Sequence, residues 1–400
     1  MKITRKLCLV IVFSGLALAF SFQPSPMIQS ETPTPDTTTT PETPVPIVEI
    51  KVAIMAPFSG NMAVYGKSLV NGVMMVVNDW NDSHAENGWK IVPVYADTKC
   101  DPKTTISEAN RLIHEETITY FIGDVCSEAS VALADILDQS GALQISPAAS
   151  SPMLTIDSDG NGRRFVFRTC YLDRYQAQAM ARYLVLNGFK KAVILANSDD
   201  MYSYELAEAF ANTYTGEGGT ILMNSLGISA DKDFSGILTR VRDLNPDVIY
   251  LPMWSKQLNL VASQIQTAGI KAQLAGPDSW EDRNLIKSVV EKGLYSTNFS
   301  INNPRPEAVE FVKTYQLKTG KRPDMIAALG YDTASLLLTA FDNVGKNNVV
   351  KVRDALEELE LTGVTGMIRF DDFHNPKKPV VISQYNYGRS LFVTEVPPKD

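Results

Sequence analysis

Two short segments carry the residues best suited to gripping a charged group. One runs Tyr120-Phe-Ile-Gly-Asp-Val-Cys126-Ser127-Glu, the other Gln144-Ile-Ser-Pro147-Ala-Ala-Ser150. In each, a short apolar strand runs into a loop of small and hydroxyl residues. Ser127 stands where a helix N-cap belongs, followed by Glu128 and by apolar Val131, Leu133, Ala134 and Leu137. A helix start offers unpaired N–H groups and the positive end of aligned peptide dipoles, a seat for a carboxylate. Ala148, Ala149 and Ser150 add main-chain groups, a hydroxyl, and side chains too small to obstruct a ligand. Ordinary strand-to-helix turns share these features, so the pattern becomes a site only with partners.

Such partners lie elsewhere in the chain. Tyr65 falls in a loop after an early strand, and Tyr202, Trp254 and Asp278 fall after later ones. Hydroxyls and N–H groups on one side would serve a carboxylate. An acid and aromatics on the other would serve an ammonium and an apolar side chain. An aromatic at a strand end is also an ordinary core residue, so each of these residues is weak evidence alone.

The elements that must position these residues alternate. Strands are expected at 49–56, 91–96, 118–123 and 142–146, with helices at 67–81 and from Asp101-Pro102 to Glu116, proline suiting a first helical turn. After 163–169 the alternation restarts, with strands at 191–197, 220–226, 247–251 and 273–276 and helices at 173–187, 203–214, 233–243, 255–268 and from Asp282. Helices then follow at 306–318, 325–343 and 350–359, and late strands at 293–298, 367–370, 380–385 and 391–396. Short apolar strands between helices predict an α/β fold of two doubly wound parallel-sheet lobes, covered on both faces. The late elements would complete the two earlier sheets. Lobe 1 is expected at 47–170 plus 299–368 and lobe 2 at 171–298 plus 369–400. Crossings near 170, 297 and 370 make a hinge. In open parallel sheets ligands sit beyond the strands' carboxyl ends at a switch point.

Composition narrows the function classes. The 400 residues are 44% hydrophobic and 20% charged, the balance of a soluble protein with a sizeable core. A net charge of -8 argues against nucleic acid and anionic membrane surfaces as partners. Lys2, Arg5 and Lys6 precede an apolar run from Leu7 to Phe20 with Ala17-Leu-Ala19, the pattern of a secretory signal over 1–22. Retention of that segment as an anchor would tether the protein to a membrane. Residues 23–46 hold seven prolines and seven threonines, an extended linker. With the leader removed, Cys100, Cys126 and Cys170 remain. A Cys100–Cys126 disulfide is expected, since both end predicted neighbouring strands, with Cys170 left as a small buried residue.

Enzymatic motifs are missing from the sequence. No G-x-G-x-x-G, Walker A or G-x-S-x-G element follows a strand. His84, His114 and His374 read as solvated. Asp157-Ser-Asp159-Gly-Asn161-Gly162 opens like a calcium loop, but Arg168 occupies the twelfth position, where a glutamate is needed. A polar turn is expected there, with no catalytic residue, no metal and no cofactor.

At this point the chain resembles the periplasmic branched-chain amino-acid-binding proteins, over about 50–396. The resemblance is carried by Ala63-Val-Tyr65-Gly66, Asp97-Thr-Lys-Cys100-Asp-Pro-Lys103, Cys126-Ser127, Pro147-Ala-Ala-Ser150 and Gly276-Pro-Asp278. It implies a type I bilobal solute-binding fold and a Cys100–Cys126 disulfide. By position, Ser127, Ala148, Ala149 and Ser150 would hold a ligand α-carboxylate, and the Ala148 carbonyl would meet its ammonium. Tyr202 and Asp278 would bind the ammonium from the other lobe, and Tyr65 and Trp254 would line the side-chain pocket. It further implies a non-enzymatic, exported monomer, periplasmic or extracellular, that delivers an aliphatic amino acid to the permease of an ABC importer. Asp278 replaces a longer glutamate of the best-known members, Ser150 a threonine, and Trp254 a common tyrosine, so pocket size does not carry over. A receptor for an amide, urea or aromatic acid, and a sensory ectodomain, are the rival expectations.

Overall fold

The computed structural model describes residues 46–227 and 232–399. The expected leader and all of the expected linker but Pro46 lie outside the described residues. The first run of elements is β1 (Val48–Ala56), α1 (Ala63–His84), β2 (Trp89–Asp97), α2 (Pro102–His114), β3 (Tyr120–Gly123), α3 (Ser127–Ser140), β4 (Leu143–Ser146) and β5 (Val166–Arg168). The second is α4 (Asp173–Leu186), β6 (Lys191–Leu195), α5 (Met201–Gly216), β7 (Thr220–Ser225), α6 (Ser235–Leu244), β8 (Val248–Tyr250), α7 (Ser255–Thr267), β9 (Gln273–Gly276) and β10 (Leu294–Thr297). The chain ends with α8 (Pro306–Thr319), α9 (Met325–Val344), α10 (Val349–Glu358), β11 (Leu361–Gly363), β12 (Gly366–Phe370), β13 (Pro376–Lys377), β14 (Val380–Asn386) and β15 (Arg389–Val396).

The first sheet has the order β2-β1-β3-β4-β5, all parallel. In β1, Ile50, Val52 and Ile54 face α1, α9 and α10, whereas Ala53 and Met55 face α2 and α3. Both faces are apolar because both are covered. In the second sheet, β7-β6-β8-β9-β10 repeats the same winding, and β14 and β15 extend it antiparallel beyond β10. Ala192 and Ile194 of β6 pack with α4 and α5, and Val193 and Leu195 with α6 and α7.

Three expectations change. The strand at 366–370 joins neither large sheet, because β12 pairs with β11 and β13 in a small antiparallel sheet. The chain enters the second sheet only at Val380, later than the boundary expected at 369. No α-helix starts at Asp282. Residues 278–290 make two short 3-10 turns, with Asp282 Oδ1 accepting from the Asn284 N–H at 2.9 Å. An acid that bonds its own nearby backbone competes with helix formation.

Candidate functional site

The first sheet switches direction between β2 and β3, on either side of β1. The loop after β1 bends tightly into α1. A Cβ on Gly66 would lie 2.1 Å from the Pro57 carbonyl oxygen, so only glycine permits this approach. Helix α1 starts at Ala63, earlier than expected, which puts Tyr65 in its first turn rather than in a loop. The Tyr65 hydroxyl is pushed up from its usual pKa by burial, then by Asp282, with Asp324 and Glu281 adding to this and Arg283 opposing it.

The loop after β3 is tied down from several sides. Cys126 is bridged to Cys100, with Cα atoms 5.6 Å apart. Buried Asp124 accepts from the Thr98 hydroxyl and, at 2.8 Å, from the Cys126 N–H. Burial, opposed by those bonds, pushes its carboxyl up to about 6. The Asp124 carbonyl accepts from Ser130 Oγ at 2.7 Å and Ser146 Oγ at 2.8 Å, which joins this loop to the one after β4. Cys126 occupies the cap position of α3, and Ser127 is its first helical residue. The Ser127 hydroxyl, half-buried, is thus not consumed in capping, contrary to expectation, and has no partner among the described residues.

The loop after β4 hangs on a buried cation. Arg168, expected only as the residue that spoils a calcium loop, donates to the Ala149 carbonyl at 2.8 Å and the Ser151 carbonyl at 2.7 Å. It also donates to Thr155 Oγ at 3.3 Å. Burial lowers its pKa to about 10, which still leaves it charged at neutral pH. The Ala149 N–H meets Ser146 Oγ at 3.2 Å, so both main-chain groups of Ala149 are spent on protein. Ala148 takes no main-chain partner among the described residues. The loop is held by every second peptide and leaves those between available.

On the second sheet the corresponding switch flanks β6. Asp200 caps α5 through the Tyr202 N–H and accepts the Trp254 indole N–H at 2.9 Å. Tyr202 and Trp254 stack at 4.6 Å and 27°. The Tyr202 hydroxyl donates to Asp278 Oδ1 at 2.8 Å. Asp278 follows β9, where a Cβ on Gly276 would lie 2.0 Å from the Trp280 indole. Trp280 is fully buried, so Gly276 lets the turn fold back over its own ring.

Gln176, on the second turn of α4, completes the group. Its Nε2 donates to Asp278 Oδ1 and to Asp173 Oδ1, each at 3.0 Å. Its Oε1 accepts the Asp278 N–H at 2.9 Å and Ser296 Oγ at 2.8 Å. The Ser150 hydroxyl lies against Asp173. Hydrogen bonds thus join Asp173, Gln176, Asp278 and Tyr202 in one series, with Ser150 of the first run acting on Asp173 at its end. Among the described residues neither acid has a cationic partner. Burial and then the neighbouring Asp278 push Asp173 up to about 7, and burial raises Asp278 while Gln176 and Tyr202 oppose it. Glu281 is raised to about 8, mainly by burial. Such a site favours a positively charged group.

The sequence reading missed Asp173, Gln176 and Arg168. An acid at N1 and a glutamine three residues on are common in any helix start, and only the position of α4 directly after β5 hinted at a role. His374, expected in solvent, is buried on Phe167 at 4.0 Å and bonds the Val166 carbonyl and Glu357, each at 3.0 Å. Its partners come from distant parts of the chain. Asp157 Oδ1 accepts the N–H groups of Asp159 and Asn161, the polar turn expected there. Cys170 is buried with a free thiol.

Comparison with known proteins agrees with this architecture. The Leu/Ile/Val-binding protein BraC3 of Rhizobium johnstonii is 32% identical over 65% of this chain and 70% of its own length. A leucine-binding protein from Thermotoga maritima superposes with a TM-score of 0.72 at 28% identity, covering 87% of this chain and 99% of its own. An ABC transporter substrate-binding protein from Desulfitobacterium hafniense in complex with Leu gives 0.76 at 26% identity, over 86% and 100%. Residues 49–389 match the periplasmic binding protein family as a whole, and the chain belongs to that family.

Proposed function

We propose that this protein is an extracytoplasmic receptor that captures an aliphatic α-amino acid, with leucine, isoleucine and valine the first candidates, and passes it to the permease of an ABC importer. One observation carries the reading. Asp278 is fixed by Tyr202 and Gln176, has no cationic partner among the described residues, and is joined through Gln176 to Asp173, on which the Ser150 loop acts. An α-amino acid supplies the missing cation and brings a carboxylate for Ser127, Ser150 and the main chain of Ala148, while Ala149, its N–H and carbonyl taken by Ser146 and Arg168, only shapes the loop. Tyr65 and the Trp254–Tyr202 stack line the apolar side. Residues 47–170 with 299–379 act as one lobe and 171–298 with 380–399 as the other. The ligand favours closure because it touches both. The relatives named above, called Leu/Ile/Val-binding or leucine-binding, support the ligand class.

A thermal-shift screen of the twenty amino acids, small amides and aromatic acids tests this, because a ligand that binds only the folded state raises its melting temperature. Branched-chain amino acids should give the largest shifts. A largest shift from a compound without an α-ammonium would overturn the assignment.

A further inference from the structure

Capture as set out above needs only Asp278 for the ammonium, and Asp173 is left over. It is 7% exposed, at the head of α4, in the same hydrogen-bonded group. Both acids lean on one donor. Because Gln176 Nε2 lies 3.0 Å from an oxygen of each, those oxygens are at most about 6 Å apart. The amide cannot reverse, since its oxygen already accepts from the Asp278 N–H and from Ser296. Two carboxylates this close in a low-dielectric site do not both ionise readily.

The surroundings do little to relieve them. From the β5–α4 crossing, Arg168 acts on Asp173, but it is engaged by carbonyls. Cys170 and Tyr171 from that crossing, Tyr202 from α5, Tyr250 from β8 and Glu281 beyond β9 bring no positive charge. Ser150 offers a hydroxyl from the opposite loop.

We propose that Asp173 and Asp278 form an acid pair, clamped on the single amide nitrogen of Gln176, which shares a proton in the ligand-free receptor and releases it to solvent when a cationic nitrogen binds. The pair makes capture selective for an ammonium over a neutral amide and couples it to pH. This rests on the amino-acid reading given above. The sign follows from linkage. Asp173 holds its proton up to about pH 7, and a bound ammonium favours its ionised form, so protons leave on binding. Affinity then rises with pH across that range. Asp173 acts as a positioning and specificity residue, distinct from the direct grip of Asp278.

Two measurements test it. Infrared spectra of the ligand-free full chain at pH 6 should contain a protonated-carboxyl band that weakens in both Asp173→Asn and Asp278→Asn. A band unchanged in both variants overturns the pair, with or without a ligand. Calorimetry of leucine binding at pH 6.5, in buffers of different ionisation heat, should count roughly half a proton released by wild type and none by Asp173→Asn. The variant's affinity should fall on the order of tenfold at pH 8 and converge on wild type near pH 5.5. A purely structural role for Asp173 would weaken binding equally at every pH and leave the proton count unchanged, which overturns the proposal. Variant-sensitive infrared bands in a protein that ignores leucine would uphold the pair and overturn the amino-acid reading alone.

Discussion

Asp278 takes its place from three neighbours: Tyr202 donates to its oxygen, Gln176 to the same oxygen, and the Gln176 carbonyl holds its N–H. Replacing it with alanine would leave a bound ammonium without its acid, costing on the order of 3 kcal/mol, or about 100-fold in affinity. Calorimetry would check this, and an affinity within threefold of wild type would remove Asp278 from the site. The buried acids also set a pH trend. Asp124, Asp173 and Glu281 all have folded pKa values above their unfolded ones, near 6, 7 and 8. Their contribution to stability is present at low pH and is lost as pH rises through those values. The ligand-free melting temperature should therefore fall between pH 5 and pH 8, measured by differential scanning calorimetry. At this scale the sequence pointed to Asp278 because it follows a strand and because Gly276-Pro277-Asp278 carries the family resemblance. Asp173 and Gln176 were not legible, because their significance lies in a shared contact about a hundred residues away in the chain.

At the scale of elements, the loops of the site are short and cross-tied. The Cys100–Cys126 bridge closes a span of 26 residues between β2 and α3. By the loop-closure argument, its removal with Cys100→Ser should cost about 3.5 kcal/mol, read as a lower denaturation midpoint in urea. Gly276→Ala should weaken amino-acid binding more than it lowers stability, since its Cβ would push Trp280 and with it the turn that carries Asp278. Calorimetry and a melting curve of the same variant would separate the two effects. Most strands and helices were legible from apolar periodicity, and the start of α2 from Asp101-Pro102, where the structure has the Asp101 side chain accept the Thr104 N–H at 2.8 Å. The stretch after Asp282 was not, because its acid and Asn284 close local bonds that mimic a helix start and then end it. The partner of β12 was equally hidden, for an alternating strand records which face is apolar but not which neighbour it meets.

In the whole molecule, the chain passes from the first sheet to the second after β5, leaves it after β10, and returns at β14. Near these passages the buried Lys378 donates to the Thr169 carbonyl at 3.1 Å and to Thr365 Oγ at 2.7 Å, fastening the first passage to the third. Closure about these strands predicts a smaller radius of gyration in small-angle scattering when a saturating branched-chain amino acid is added. The doubly wound design was readable from the alternation of strands with helices. The antiparallel pair that widens only the second sheet was not, since nothing local distinguishes an added edge strand from one that closes a lobe.

The interleaving of the two sheets also dictates an order of events during synthesis. The face of β1 that carries Ile50, Val52 and Ile54 is sealed by Ile326, Leu337 and Phe341 of α9, which a ribosome makes long after the strand has emerged. That face of the amino-terminal sheet therefore stays uncovered until nearly the whole polypeptide exists, although α2 and α3 can close the other. For a member of a periplasmic family, with a membrane to cross, that delay keeps the nascent chain loose enough to thread.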